Sequence, residues 1–258
     1  MFKLVDTHTH LYDEAFLPDC EEVVERARKV GVKACVLPSI DKEAHKYLLN
    51  CEAKFKGYAF AASGLHPTSV NSNWREELEY VFKETSLRDY IAIGEIGMDG
   101  YWSREFMEEQ AIVFQEQLNL ASSLNLPVII HSRDSYDEIF KVLENCKNLN
   151  LKGVFHAFSG SREIFSRIRK YGDFKAGIGG VITYKNSHIA NTVKEIGMEN
   201  IILETDSPWL TPVPHRGKRN EPSYVRIVAD KLAEIFNLPV EEIASITSNS
   251  ATNLFNLQ

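Results

Sequence analysis

Short runs of apolar, β-branched residues alternate with longer stretches whose apolar positions recur every three or four residues, from one end of the chain to the other. The runs at 3–7, 33–38, 58–65, 90–95, 127–131, 153–156, 174–178 and 201–205 predict eight strands. Helical patterns fall between them, for instance at 20–30, 104–124, 134–145 and 162–171, and two more at 221–236 and 240–254 follow the last strand. Eight strand–helix units with no linker or low-complexity break predict parallel βα units in one domain spanning 1–258. The fold class expected is α/β, a single (β/α)8 TIM barrel, and the 258 residues match its usual length of about 250. Periodicity alone does not show closure, so a doubly wound open sheet remains the alternative.

Composition narrows the class without naming it. Apolar residues are 44% and charged residues 25%, ordinary values for a globular enzyme. Lys plus Arg number 29 against 36 Asp plus Glu, a formal charge of −7. Such a chain is not a bulk-electrostatic nucleic-acid binder, although bound cations and a local basic patch can still attract phosphates. Cys20, Cys35, Cys51 and Cys146 form no CxxC pair, which points to a reduced, cytoplasmic setting. The opening residues reach an acid and two histidines too early for a secretory apolar segment. No window approaches 18 apolar residues, so no membrane span is expected.

The chemistry sits at the strand ends. His8, His10, Glu95, His131, His156 and Asp206 each lie at or just beyond the C-terminal end of an expected strand, the rim on which barrel enzymes build their sites. His8 and His10 share one strand face and make a ready two-imidazole metal clamp; the plainer alternative is a pair of hydrogen-bonded polar residues. Asp6 has the same parity and suits orientation of an imidazole. Glu95 shares parity with Ile91 and Ile93, which would put a carboxylate at the mouth of an apolar interior, a costly place unless it meets cations. One carboxylate can bridge two ions held about 3.5–4 Å apart; otherwise Glu95 caps the helix beginning near Arg104. His131 and His156, each a core histidine if taken alone, sit on consecutive strands opposite these groups. Asp206 closes the ring from the last strand and could bind a metal and accept a proton from water. Glu204 reads equally as a supporting acid or an ordinary polar residue.

Substrate contacts are sparser in the sequence. His66 could donate to a substrate oxygen or serve only a turn. Arg133, and the basic run His215-Arg216-Gly217-Lys218-Arg219-Asn220, suit phosphate contacts or form a solvated loop. Tyr101, Trp102, Tyr184 and Trp209 could stack bases or pack the rim.

These motifs together resemble the TatD family of metal-dependent deoxyribonucleases, among the amidohydrolase-like barrels. The resemblance runs through Asp6-Thr7-His8-Thr9-His10-Leu11, Gly64-Leu65-His66-Pro67, Gly94-Glu95-Ile96-Gly97 and the segment 125–131. It continues through His156-Ala157-Phe158-Ser159-Gly160, Gly177-Ile178-Gly179-Gly180, Glu204-Thr205-Asp206-Ser207-Pro208, 216–222 and 249–255. It implies one divalent cation on His8, His10, Glu95 and Asp206, and a second on Glu95, His131 and His156, with Zn, Mn or Mg as candidates. It implies a DNA substrate, with 3′ to 5′ action on single strands in some members and a role in DNA degradation or repair. No obligate protein partner is evident. Glu95 and Asp206 are the expected catalytic acids, and His66, Arg133, Arg216, Lys218 and Arg219 the expected substrate contacts. Thr68 stands where many relatives carry a second histidine, and Gly100 where an aromatic is common; both lie where substrate would touch. The rival readings are an ester or amide hydrolase of the same barrel type, such as a lactonase or D-aminoacyl-tRNA deacylase, and a non-catalytic nucleic-acid-binding barrel.

Overall fold

The computed structural model describes residues 3–257. Among these described residues eight strands run parallel: β1 (Leu4–Asp6), β2 (Val32–Leu37), β3 (Ala59–Ala61), β4 (Ile93–Asp99), β5 (Val128–Arg133), β6 (Leu151–Phe155), β7 (Gly172–Ile178) and β8 (Ile201–Leu203). Pairing is continuous within β1–β3 and within β4–β8. What decides between a barrel and an open sheet is the two seams. At one, Ser63 N donates to Ala92 O (3.2 Å) and Gly94 N to Ser63 O (2.9 Å). At the other, Thr7 N donates to Leu203 O (3.0 Å) and Asp206 N to His8 O (2.9 Å), and Thr9 bridges Ser207. Both edges are therefore satisfied, and the strands close into a (β/α)8 barrel.

The helices are α1 (Cys20–Lys29), α2 (Lys42–Lys54), α3 (Trp74–Leu87), α4 (Met107–Leu124), α5 (Tyr136–Asn145), α6 (Arg162–Ile168), α7 (Ile189–Ile196), α8 (Val225–Phe236) and α9 (Val240–Phe255). Their ends follow local chemistry. Asp41 caps α2 by accepting from Ala44 N at 2.8 Å, and Asn125 and Asn237 end α4 and α8 in the left-handed conformation. Two starts come later than the hydrophobic period suggests. Ser103 Oγ takes Glu105 N at 3.1 Å and holds that stretch as a turn, so α4 begins at Met107. Asp134 sits at φ 49°, which no helix accommodates, so α5 begins at Tyr136.

Alternate strand residues serve two cores. One set, including Leu4, Leu37, Ile93, Ile130 and Phe155, packs outward against apolar faces of the helices. The other, Val5, Ala34, Val36, Ala62, Ala92, Ile129, Val154 and Ile202, is drawn from the strands and met by Ala251 and Phe255 of α9. That second set fills the barrel interior, and α9 closes its lower end. The upper end carries the polar residues.

Candidate metal centre

β4 reaches past Glu95 instead of ending at it, and its pairing with β5 slips between Ile93 and Ile96. Ile93 packs outward with the helices. The parity expected from Ile91 and Ile93 therefore does not place Glu95; the register slip turns its carboxylate inward. The same geometry removes the helix-capping alternative, because Glu95 is 2% exposed within a strand. Gly97, at φ 130°, lies so close to β5 that a Cβ would meet His131 O at 2.2 Å. Only glycine lets the two strands approach there.

The two oxygens of Glu95 face different imidazoles. Oε1 lies 2.7 Å from His156 Nε2, 2.9 Å from His131 Nδ1 and 3.2 Å from His66 Nε2. Oε2 lies 3.2 Å from His8 Nε2 and 3.8 Å from His10 Nε2. On that second side Asp206 Oδ1 is 3.5 Å and 3.7 Å from the same two nitrogens. All six residues expected at the rim thus meet at one place. Asp206 and Ala157, the residue after His156, take left-handed φ values of 56° and 44°, backbone positions sparsely populated outside glycine and often found at functional sites.

Hydrogen bonds fix which ring nitrogen His10, His131 and His66 present. Tyr12 OH donates to Pro38 O at 2.6 Å, so its oxygen accepts from His10 Nδ1 at 2.8 Å. His10 then points a bare Nε2 at the cluster. His131 Nε2 bonds Asp99 Oδ2 at 2.8 Å, which leaves Nδ1 facing the Glu95 acceptor. Thr68 N donates to His66 Nδ1 at 3.1 Å, so His66 carries its proton on Nε2 and acts as a donor toward Glu95. The donor is the backbone amide, which any residue but proline would supply there; the Thr68 hydroxyl also lies 2.6 Å from Nδ1. Sequence reasoning missed Tyr12 and Asp99, although one directly follows a motif it singled out and the other stands two residues beyond another.

The electrostatics ask for positive charge. Burial pushes Glu95 upward, but the imidazoles of His156, His66 and His8 outweigh it and hold the carboxyl well below its usual range. Burial opposes charge on His131 and His156 too, yet Asp99 and Glu95 raise the first, and Glu95 with Glu204 raises the second well above the ordinary value. Asp206 is pushed up to about 6, chiefly by burial. Such a cluster holds positive charge either as protons on the rings or as cations. Bare imidazole nitrogens and carboxylate oxygens are the donors that Zn, Mn and related ions take. Two sets, His8 with His10 and Glu95, and His8 with His156 and Glu204, have converging donor atoms; in a third, His66 with Glu95 and His131, the His66 Nε2 carries a proton and donates instead. The residues fit a metal.

Glu204 is fully buried beneath His8 and His156; Oε1 accepts Ala157 N at 2.5 Å, while Oε2 and the Nδ1 atoms of both histidines have no hydrogen-bond partner among the described residues. It supports the cluster from below. Asp6 does something else than expected: it accepts from Thr205 N (2.9 Å), Thr205 Oγ1 (2.7 Å) and the backbone N of His8 (3.3 Å). It therefore pins β1 to the end of β8 and orients no imidazole ring.

A cavity of about 740 Å³ opens above the cluster, lined by Glu95, Asp206, His66, Arg133, Trp102 and Trp209 among others. Arg216, Lys218 and Arg219 are absent from its wall. Arg219 is committed elsewhere, bidentate to Asp19 at 2.7 and 2.8 Å and donating to Ala15 O at 2.6 Å. The phosphate contact expected of it is not met, because its guanidinium is already paired. Arg216 stacks over Tyr184 at 4.2 Å.

Comparison with known proteins shows the family. The family model for TatD related DNase matches residues 5–256. A Bacillus subtilis (strain 168) protein, described as an uncharacterized metal-dependent hydrolase, YabD, is 37% identical over 98% of this chain and 99% of its own. An Escherichia coli (strain K12) protein, YcfH, described likewise, is 30% identical over 98% of this chain and 96% of its own. The crystal structure of YjjV, a TatD homologue from Escherichia coli K12, superposes with a TM-score of 0.91 at 31% identity, covering 99% of this chain and 98% of that one.

Proposed function

Because the chain belongs to the TatD related DNase family, and is on that ground a metal-dependent hydrolase, we propose that it hydrolyses phosphodiester bonds of DNA with two divalent cations. The observation that carries this reading is the division of Glu95. Its Oε2 faces His8 and His10, its Oε1 faces His131 and His156, and Asp206 completes the first side. His8, His10, Glu95 and Asp206 would hold one cation; Glu95, His131 and His156 would hold the other. Bound there, the cations supply Lewis acidity that brings a water towards ionisation and offsets charge developing on phosphate oxygens.

The chain's own groups do the rest. Asp206 presents its carboxylate to the cavity and takes the proton of the attacking water. His66 offers its Nε2–H to a substrate oxygen, its tautomer set by the Thr68 backbone amide. Arg133, at the end of β5 on the cavity wall, positions a phosphate. The cavity has the volume of a small-molecule site, which supports entry of a strand end over an intact duplex; action from the 3′ side is what the family resemblance implies.

The test is a panel of end-labelled single- and double-stranded DNA with Mg, Mn, Zn and chelator. Divalent-dependent shortening of single strands, read from product lengths, is the expected result. Hydrolysis of a lactone or an aminoacyl ester with every DNA left intact would overturn the phosphodiester reading.

A further inference from the structure

We propose that Tyr101, Trp102 and Arg133 form a stacking subsite that receives an unpaired nucleobase beside the hydrolytic centre. The proposal rests on the reading of the substrate as DNA. Trp102 is 71% exposed, against 8% for Trp74, and it lines the same cavity as Glu95. Trp102 therefore leaves most of its ring open towards the cavity, and tryptophan is a residue enriched where proteins recognise partners. Tyr101 and Trp102 meet edge to face, centroids 5.1 Å apart at 85°. The Arg133 guanidinium lies 3.5 Å from the Tyr101 ring centroid and 5.4 Å from that of Trp102. The shelf therefore combines an open aromatic face with a cation, which is the pairing that single-stranded nucleic acid uses: π-faces for bases and positive charge for phosphates.

A second observation fixes the shelf to the chemistry. Asp99 Oδ1 accepts the backbone amides of Tyr101 (2.9 Å) and Trp102 (3.2 Å), while Oδ2 accepts from His131 Nε2 (2.8 Å). One buried carboxylate thus sets both the ring that faces Glu95 and the loop that carries the tryptophan. A base resting on Trp102 is held at a constant offset from the scissile bond. Every base has a stacking face, so the subsite tolerates any sequence but requires the base to be unpaired. It selects single strands and frayed ends over duplex, and nucleotides over abasic backbone.

The experiment measures equilibrium binding of metal-loaded protein to a fluorescent, hydrolysis-resistant phosphorothioate oligo(dT), and to the same oligomer with abasic units at its 3′ end. Trp102→Ala weakens binding of oligo(dT) about tenfold, Trp102→Phe recovers most of it, and wild type and Trp102→Ala bind the abasic oligomer alike. An unchanged melting temperature shows that the fold is intact. Equal affinity of wild type and Trp102→Ala for oligo(dT), or an equal loss on both oligomers, overturns the subsite even if ordinary DNA is cleaved. Failure to cleave any DNA, with the Trp102 dependence of binding preserved, instead removes the phosphodiester reading and leaves the subsite standing.

Discussion

At the scale of single residues, the site turns on ring nitrogens, and at His10, His66 and His131 the neighbours assign the proton. Tyr12 shows this most simply. It is 8% exposed and relays one hydrogen bond from His10 to the Pro38 carbonyl. Tyr12→Phe removes only the hydroxyl, frees the His10 ring to rotate or change tautomer, and should weaken divalent-cation affinity about 10- to 100-fold. Competition against a chromogenic chelator would measure it, and unchanged affinity would mean that ring packing alone orients His10. The six rim residues were legible in the sequence, because ligand types at strand ends stand out against apolar strands. Tyr12 and Asp99 were not, because a hydroxyl or carboxylate acting through another side chain leaves no periodic signal. Arg219 shows the opposite error: a basic run looks like a phosphate site until its acidic partner, Asp19, is seen about 200 positions away.

At the scale of elements, strand ends and closures decide where those residues point. The order of strands and helices could be read from hydrophobic periodicity, and α9 was visible as a helix after the last strand. Its task was not visible, since plugging the barrel is a long-range contact. Phe255 is 1% exposed against the interior set. Phe255→Ala should cost about 3–5 kcal/mol of unfolding free energy in urea titration, with the cluster at the far end of the barrel keeping its cation affinity. A loss below about 1 kcal/mol would show that α9 is not the stopper. The register slip in β4 was likewise beyond sequence reasoning. Simple alternation assigned Glu95 the face of Ile93, whereas the slip gives it the opposite one.

At the scale of the whole molecule, closure brings β1 against β8 and so carries His8 and His10 to Asp206, almost two hundred residues later in the chain. No helix among the described residues is long and apolar enough to cross a membrane. Away from the metal cluster, stability carries a pH signature from His45. That ring is buried, bonded to Ser39 Oγ (3.0 Å) and Tyr90 OH (2.8 Å). Burial holds its pKa below the usual value, and Arg88 adds to this while Glu84 opposes it. The unfolded chain then takes a proton that the folded chain resists, so stability present above about pH 6.5 is lost as the pH falls further. The slope from this one group is at most about 1.4 kcal/mol per pH unit, and His45→Gln should flatten the decline between pH 7.5 and 5.5 in thermal melts. An identical decline in the variant would assign it to other groups.

The central claim is that one inward carboxylate organises two cation sites, and anomalous diffraction from crystals grown with Mn or Zn, for wild type and Glu95→Ala, tests it most directly. The account predicts two anomalous peaks per chain in the wild type, one among His8, His10 and Asp206 and one among His131 and His156, with Glu95 between them. It predicts that both fade in Glu95→Ala while the barrel itself is unchanged. A wild-type map with no ion at Glu95, or an Ala variant that keeps both peaks, would contradict it.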